Sequence, residues 1–257
     1  DSGLGGLTSV PVLKRALPNE KVLYFGDTAR TPYGSKSPDT VCKFSAQIVD
    51  YLVSKNVKLI VIACNTVTAM ALDMLREKHP EVPIVGVIDP TARRVAADGV
   101  CNVGIIGTKV TIESGVYAES IHSLNPNINT YSLACPAFVP LIEEGIIDNE
   151  IMDLTIKYYM DDFVKNNNID SLILGCTHYP LIAANIKRIY PELKLYNSSA
   201  EVISDVVDIL TGRDMLAEEN DFPDRFYASD LSETFIRMTD TLFEGYDTKI
   251  KLKKLDD

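Results

Sequence analysis

Asn56-Val57-Lys58-Leu59-Ile60-Val61-Ile62-Ala63-Cys64-Asn65-Thr66 aligns residue for residue with Asn168-Ile169-Asp170-Ser171-Leu172-Ile173-Leu174-Gly175-Cys176-Thr177-His178. The two segments share one pattern: an apolar strand, a small residue, a cysteine, then polar residues that open a helix. A pattern that recurs at a constant offset implies two similar halves, and two α/β halves leave a cleft between them.

Around these segments, β-branched runs alternate with helical patterns. Strands are expected at Val22 to Phe25, Val57 to Ala63, Ile84 to Val87, Val103 to Ile106, Ser171 to Leu174 and Leu193 to Tyr196. Helices are expected at Leu7 to Leu17, ended by Pro18, at Thr40 to Ser54, capped by Ser37 with Pro38 at the first position, and at Pro90 to Ala97. Strand–helix alternation of this kind predicts the α/β class with mainly parallel central sheets. Asn166-Asn167-Asn168 marks a turn, and the boundary between halves is placed near Asp98-Gly99.

The chain has 257 residues, 46% of them hydrophobic, enough for two modest cores. No apolar run approaches the roughly 18 residues of a membrane span, so no membrane association is expected. The sequence opens at Asp1 without a methionine, inside what reads as a loop, so a first strand feeding Asp1-Ser2-Gly3-Leu4-Gly5-Gly6 is expected to be missing.

Five cysteines, at 42, 64, 101, 135 and 176, include no C-x-x-C pair, and the three histidines form no ligand-like pair. Neither a disulfide framework nor a metal site is expected, and the cysteine usage fits a reducing compartment. A net charge of −11 with scattered basic residues argues against nucleic-acid binding. It leaves open the sign of a small substrate, because backbone amides at helix N-termini can bind an anion in an acidic protein.

In open parallel sheets, ligands bind beyond the carboxyl ends of the strands, where Cys64 and Cys176 both fall. A helix N-terminus there favours the thiolate, a usable base. One strand-end cysteine is as readily a small buried hydrophobe; two at equivalent positions point to chemistry. Two facing thiols suit moving a proton across a planar carbanion, one removing it and the other returning one on the opposite face. That is racemisation or epimerisation without a cofactor. An amino-acid-binding protein on a two-lobed scaffold is the alternative, and it offers no reason for paired thiols.

Nearby polar residues extend the candidate site. The glycine-rich loop after Asp1 and Ser2 allows close backbone approach to an anion, with the carboxylate free to orient a thiol. His178 lies two residues beyond Cys176 and can polarise that thiol or the substrate. Gly26 to Gly34 is a long polar loop after a strand, a common place for binding residues. Thr108 follows another strand; Glu143 and Glu144 read first as a solvated helix end. Cys42, Cys101 and Cys135 read as packing cysteines.

At these residues the sequence resembles the glutamate racemases of the cofactor-independent aspartate/glutamate racemase superfamily. The resemblance rests on D-S-G-L-G-G at 1 to 6, G-D-T-A-R-T-P-Y-G at 26 to 34, A-C-N-T at 63 to 66, G-V-I-D-P at 86 to 90, the segment around Gly107-Thr108, F-V-P-L-I-E-E-G at 138 to 145, and G-C-T-H-Y-P-L at 175 to 181. It implies interconversion of L- and D-glutamate for peptidoglycan, in a bacterial cytoplasm, with no cofactor or metal and usually as a homodimer. It also implies two pseudosymmetric α/β domains, residues 1–97 with a returning 212–257 and residues 98–211, and an active site in the cleft between them.

By the same resemblance Cys64 and Cys176 are the two proton acceptors and donors, assisted by Asp1 and His178. Substrate contacts then fall on Asp1, Ser2, Tyr33, Gly34, Asn65, Thr66, Thr108, Glu143, Thr177 and His178. Cys64 would serve D-glutamate and Cys176 L-glutamate. A racemase for aspartate is the nearest rival; G-C-T-H-Y-P-L and P-Y-G favour glutamate.

Overall fold

The computed structural model describes residues 1–219, 223–243 and 249–255. A 3-10 turn at Gly5–Ser9 leads into α1 (Val10–Ala16), then β1 (Leu23–Gly26), α2 (Pro38–Val53), β2 (Ile60–Ile62), α3 (Asn65–Lys78), β3 (Ile84–Gly86) and α4 (Ile88–Ala97). Next come β4 (Asn102–Gly107), α5 (Lys109–Glu113), α6 (Val116–Leu124), β5 (Asn129–Ala134), α7 (Phe138–Glu143) and α8 (Glu150–Asn166). The chain continues through β6 (Ser171–Gly175), α9 (Ala183–Ile189), β7 (Lys194–Asn197), α10 (Ser198–Gly212), β8 (Arg225–Ala228), α11 (Glu233–Leu242) and β9 (Ile250–Leu252). The returning segment expected over 212–257 thus lies partly outside the described residues.

The protein is α/β, and every strand pairing among the described residues is parallel. One sheet has the order β5-β4-β6-β7, a second β1-β8-β9, and a third is the pair β2-β3. β6 is buried throughout, as a central strand covered by helices on both faces must be, and it reads accordingly as an unbroken apolar run. The facing edges of β1 and β2 are not bonded to one another. Between them lies a cavity of about 480 Å³, walled by Leu13, Tyr24, Ile60, Val61 and Leu210 among others.

The expected repeat has a backbone counterpart. Asn56 and Asn168 both adopt left-handed conformations, with φ of 56° and 48°, where each turns the chain toward its strand. Asparagine tolerates this region because its short polar side chain bonds locally. α2 begins as expected, with the Ser37 side chain accepting from the Thr40 N–H at 3.3 Å and proline at the first helical position.

Several boundaries differ from those read in the sequence. The strand expected over Val57 to Ala63 is confined to Ile60–Ile62. The helix expected from Leu7 begins as a 3-10 turn and becomes α-helical at Val10. α4 starts at Ile88, so Pro90 is its third residue; proline is tolerated in a first turn whose N–H groups have no intrahelical partner. β5, β8 and β9 were not anticipated. β5 is an edge strand without a fully buried residue, so its polar sequence carries no apolar run to read. α10 follows β7 yet packs across onto the other half, where Val202, Ile203, Val206 and Leu210 meet Leu17, Val85 and Val87.

Cys42 and Cys135 pack as expected, Cys135 fully buried and Cys42 partly so. Cys101 does not. It is exposed at the entry to β4, the end of the sheet opposite the ligand side, where its N–H donates to Asp170 Oδ2 at 2.9 Å. No helix among the described residues is long and apolar enough to cross a membrane.

Candidate active site

The two thiols are carried to one place by equivalent elements. Cys64 follows β2 and caps α3; Cys176 follows β6. Their surroundings differ. α3 opens directly at Asn65 and Thr66, whereas Cys176 is followed by a turn and the 3-10 segment Tyr179–Ile182, so the helix N-terminus expected beside both thiols stands beside Cys64 alone. Both line one small cavity, and both are nearly buried, at 5% and 7% exposure. The larger cavity beside β1 holds neither thiol.

Among the described residues, Cys176 has a hydrogen-bonding side-chain partner and Cys64 has none. His178 Nδ1 lies 3.8 Å from Cys176 Sγ, and Nε2 lies 3.1 Å from Glu143 Oε1. Burial of the ring opposes its charge, but the sulfur and the carboxylate on its two nitrogens outweigh that and raise the pKa from 6.5 to about 9. At neutral pH His178 is therefore a cation, with both nitrogens donating. Glu143 does not line the cavity; the structure places it behind His178 at the end of α7.

The glycine-rich loop presses on this side of the site. A Cβ at Gly5 would fall 2.3 Å from Thr177 Oγ1 and 2.6 Å from His178 Nδ1. Thr8 Oγ1 donates to Thr177 O at 3.2 Å. Ser2 lines the cavity. Asp1 lines the larger cavity instead; its Oδ1 accepts from the Gly3 N–H at 2.9 Å, its carbonyl from Asp27 N–H, and its buried Oδ2 has no hydrogen-bond partner.

The loop after β1 brings Tyr33 and Gly34 to the cavity wall. The Tyr33 hydroxyl donates to Asp27 Oδ2, which also accepts from Arg30 Nε at 2.7 Å, while Asp27 Oδ1 accepts from Ser229 Oγ at 2.8 Å. Asp27 is fully buried and anchors the loop; it lay within the G-D-T-A-R-T-P-Y-G motif without being singled out. Gly34 meets Thr108 so closely that a Cβ would stand 2.3 Å from that residue's Cβ.

Asn65, Thr66, Thr108, Thr177 and His178 all line the cavity. Thr66, Thr108 and a residue not foreseen, Thr111, form a triangle of hydroxyls with edges of 3.0, 3.1 and 3.0 Å. Tyr117 and Ser198, also unforeseen, bond the Asn65 amide at 2.6 and 3.2 Å. Nothing in the sequence marks these distant positions. Among the described residues no cluster of three or more His, Cys, Asp or Glu could hold a metal ion.

A buried cavity with thiols from two equivalent strand ends, one of them beside a histidine, is an arrangement suited to an enzyme that moves a proton. The chain belongs to the Asp/Glu/hydantoin racemase family, whose profile matches residues 10–207. It is 44% identical to a glutamate racemase of Geobacter metallireducens over 250 residues, covering 95% of this chain and 91% of that protein. It is 43% identical to one of Sulfurihydrogenibium, covering 99% and 96%. The fold superposes with a TM-score of 0.93 on the crystal structure of the Francisella tularensis glutamate racemase in complex with D-glutamate, at 39% identity, covering 100% of this chain and 96% of that one.

Proposed function

We propose that this enzyme is a glutamate racemase that interconverts L- and D-glutamate with Cys64 and Cys176 as its two bases. The observation that carries the reading is that both thiols line one cavity, each at the end of its own repeated strand. The relatives named above support glutamate as the substrate.

In the forward step one thiolate takes the α-proton: the C–H bond breaks, an S–H bond forms, and the electron pair stays on a planar carbanion. The other thiol gives its proton to the opposite face and becomes the thiolate. Protonation states are exchanged and no other reagent is consumed, so the scheme asks for neither cofactor nor metal. Cys176, next to His178, serves L-glutamate and Cys64 serves D-glutamate. The N-terminus of α3 at Asn65 and Thr66, together with Ser2, Tyr33, Gly34, Thr108 and Thr177, holds the substrate's polar groups. Asp1 assists from the Cys64 side, and Glu143 acts through His178.

This reading places the chemistry between two lobes, residues 1–97 with 212–257 and residues 98–211, and makes the protein a homodimer in a bacterial cytoplasm that supplies D-glutamate for peptidoglycan. The test is incubation of metal-stripped, pyridoxal-free protein with L-glutamate in D₂O. Decay of the circular dichroism together with loss of the α-proton signal is expected. Binding of glutamate without either change would point to a binding protein, and faster turnover of aspartate would transfer the assignment to that substrate.

A further inference from the structure

Asn65 sits at the cavity wall as the first residue of α3, yet the groups that fix its side chain come from the far side of the cleft. Tyr117, on α6, donates its hydroxyl to Asn65 Oδ1 at 2.6 Å. Ser198, the first residue of α10, accepts from Asn65 Nδ2 at 3.2 Å. The directions follow from the hydrogen-bond count. Ser198 has one hydroxyl proton and spends it on Leu174 O at 3.1 Å, so toward Asn65 it can only accept. That puts the amide nitrogen at Ser198 and the amide oxygen at Tyr117. Burial holds the Tyr117 phenol well above its ordinary value, so it keeps its proton and acts as donor.

We propose that Tyr117 is a positioning residue for Asn65: with Ser198 it locks the amide so that the remaining Nδ2 N–H faces the cavity as a donor to a substrate carboxylate. Without that lock the amide can rotate by half a turn and present its oxygen, an acceptor, to an anion. An acceptor there would repel what the donor binds. Tyr117 touches no substrate, and its effect passes wholly through Asn65. The inference rests on the racemase reading above, since it needs an anionic amino acid in this cavity.

The experiment is a double-mutant cycle on steady-state racemisation in both directions, using Tyr117→Phe, Asn65→Ala and the pair. Tyr117→Phe is expected to raise KM for both enantiomers about ten-fold with kcat changed far less, the size of one lost charge-assisted bond. In the Asn65→Ala background the same substitution should change nothing further, because the group it positions is gone. A structural role would behave otherwise: an equal factor in both backgrounds, or an unchanged KM, overturns the proposal. Ser198→Ala, which removes the other half of the lock and only one oxygen atom, repeats the cycle should Tyr117→Phe lose its fold; it must raise KM in the wild-type background and not in Asn65→Ala. Absence of any glutamate turnover by the wild-type protein refutes the racemase reading itself, and this inference with it, so the two failures are told apart by the first control.

Discussion

His178 Nε2 lies 3.1 Å from Glu143 Oε1, while the other nitrogen of the same ring faces Cys176 Sγ at 3.8 Å. The imidazole thus joins a carboxylate to one thiol and to nothing comparable at the other, which makes the two halves of a repeated site chemically unequal.

The first prediction concerns that ring. Its pKa of about 9 in the folded protein exceeds the ordinary 6.5, so the charged ring contributes stability that is fully present below about 6.5 and is lost as pH rises through about 9. The melting-temperature difference between wild type and Glu143→Gln is expected to be largest near pH 6 and to shrink toward pH 9.5. NMR titration of His178 should give a midpoint far above 6.5 in wild type and a lower one in the variant; an ordinary midpoint in both removes the claim.

Cys64→Ser and Cys176→Ser should each cut racemisation by roughly a thousand-fold, the scale on which a positioned acid–base group contributes. Circular dichroism of the folded variants shows whether the loss is chemical. Near-normal turnover in either would end the two-base scheme.

Cys101, by contrast, is exposed and remote from the cavity. A thiol reagent should label it first and without loss of activity, whereas inactivation should follow slower labelling of the buried pair and be prevented by glutamate. Peptide mass spectrometry against a residual-activity curve separates the two phases, and Cys101→Ser should keep the kinetics of inactivation unchanged.

Gly5→Ala tests the contact between the glycine-rich loop and the Cys176 turn. The added methyl would fall well inside van der Waals distance of Thr177 and His178, both buried, so relief requires the site to shift. A stability loss of about 1–3 kcal/mol is expected from overpacking of this kind, with a larger fractional fall in kcat/KM. Normal kinetics at wild-type stability would show that the loop gives way freely.

Asp27→Ala should cost about 3–5 kcal/mol in urea unfolding, because it leaves Arg30 without its carboxylate and Tyr33 without its acceptor. Tyr33→Phe removes a single bond and should cost much less.

The sequence made the repeat legible because it is local: a strand, a small residue and a cysteine fit within eleven residues, and the asparagine that precedes each strand has to adopt a conformation few other residues accept. Asn65, Thr66, Thr177 and His178 lie along these segments, and the same local pattern carries them to the cavity wall. What escaped reading depends on distant partners. β5 is polar because it lies at an edge, β8 is defined by pairing with β1, far away in sequence, and β9 by pairing in turn with β8. Tyr117, Ser198 and Thr111 have no local pattern at all, and their roles exist only once the halves close. Even Glu143, though named, read first as a solvated helix end, and only the fold sets it against His178.

The cavity between the thiols has an accessible volume of about 20 Å³, room for roughly one water molecule. An amino acid with a five-carbon chain is several times larger. A substrate of that size fits only if the walls at Ser2, Gly34, Thr108 and Thr177 give way. Turnover therefore includes a movement of these walls, beside which the hydroxyl triangle of Thr66, Thr108 and Thr111 lies. Solvent viscosity, which slows such motions and leaves proton transfer alone, becomes a handle on turnover.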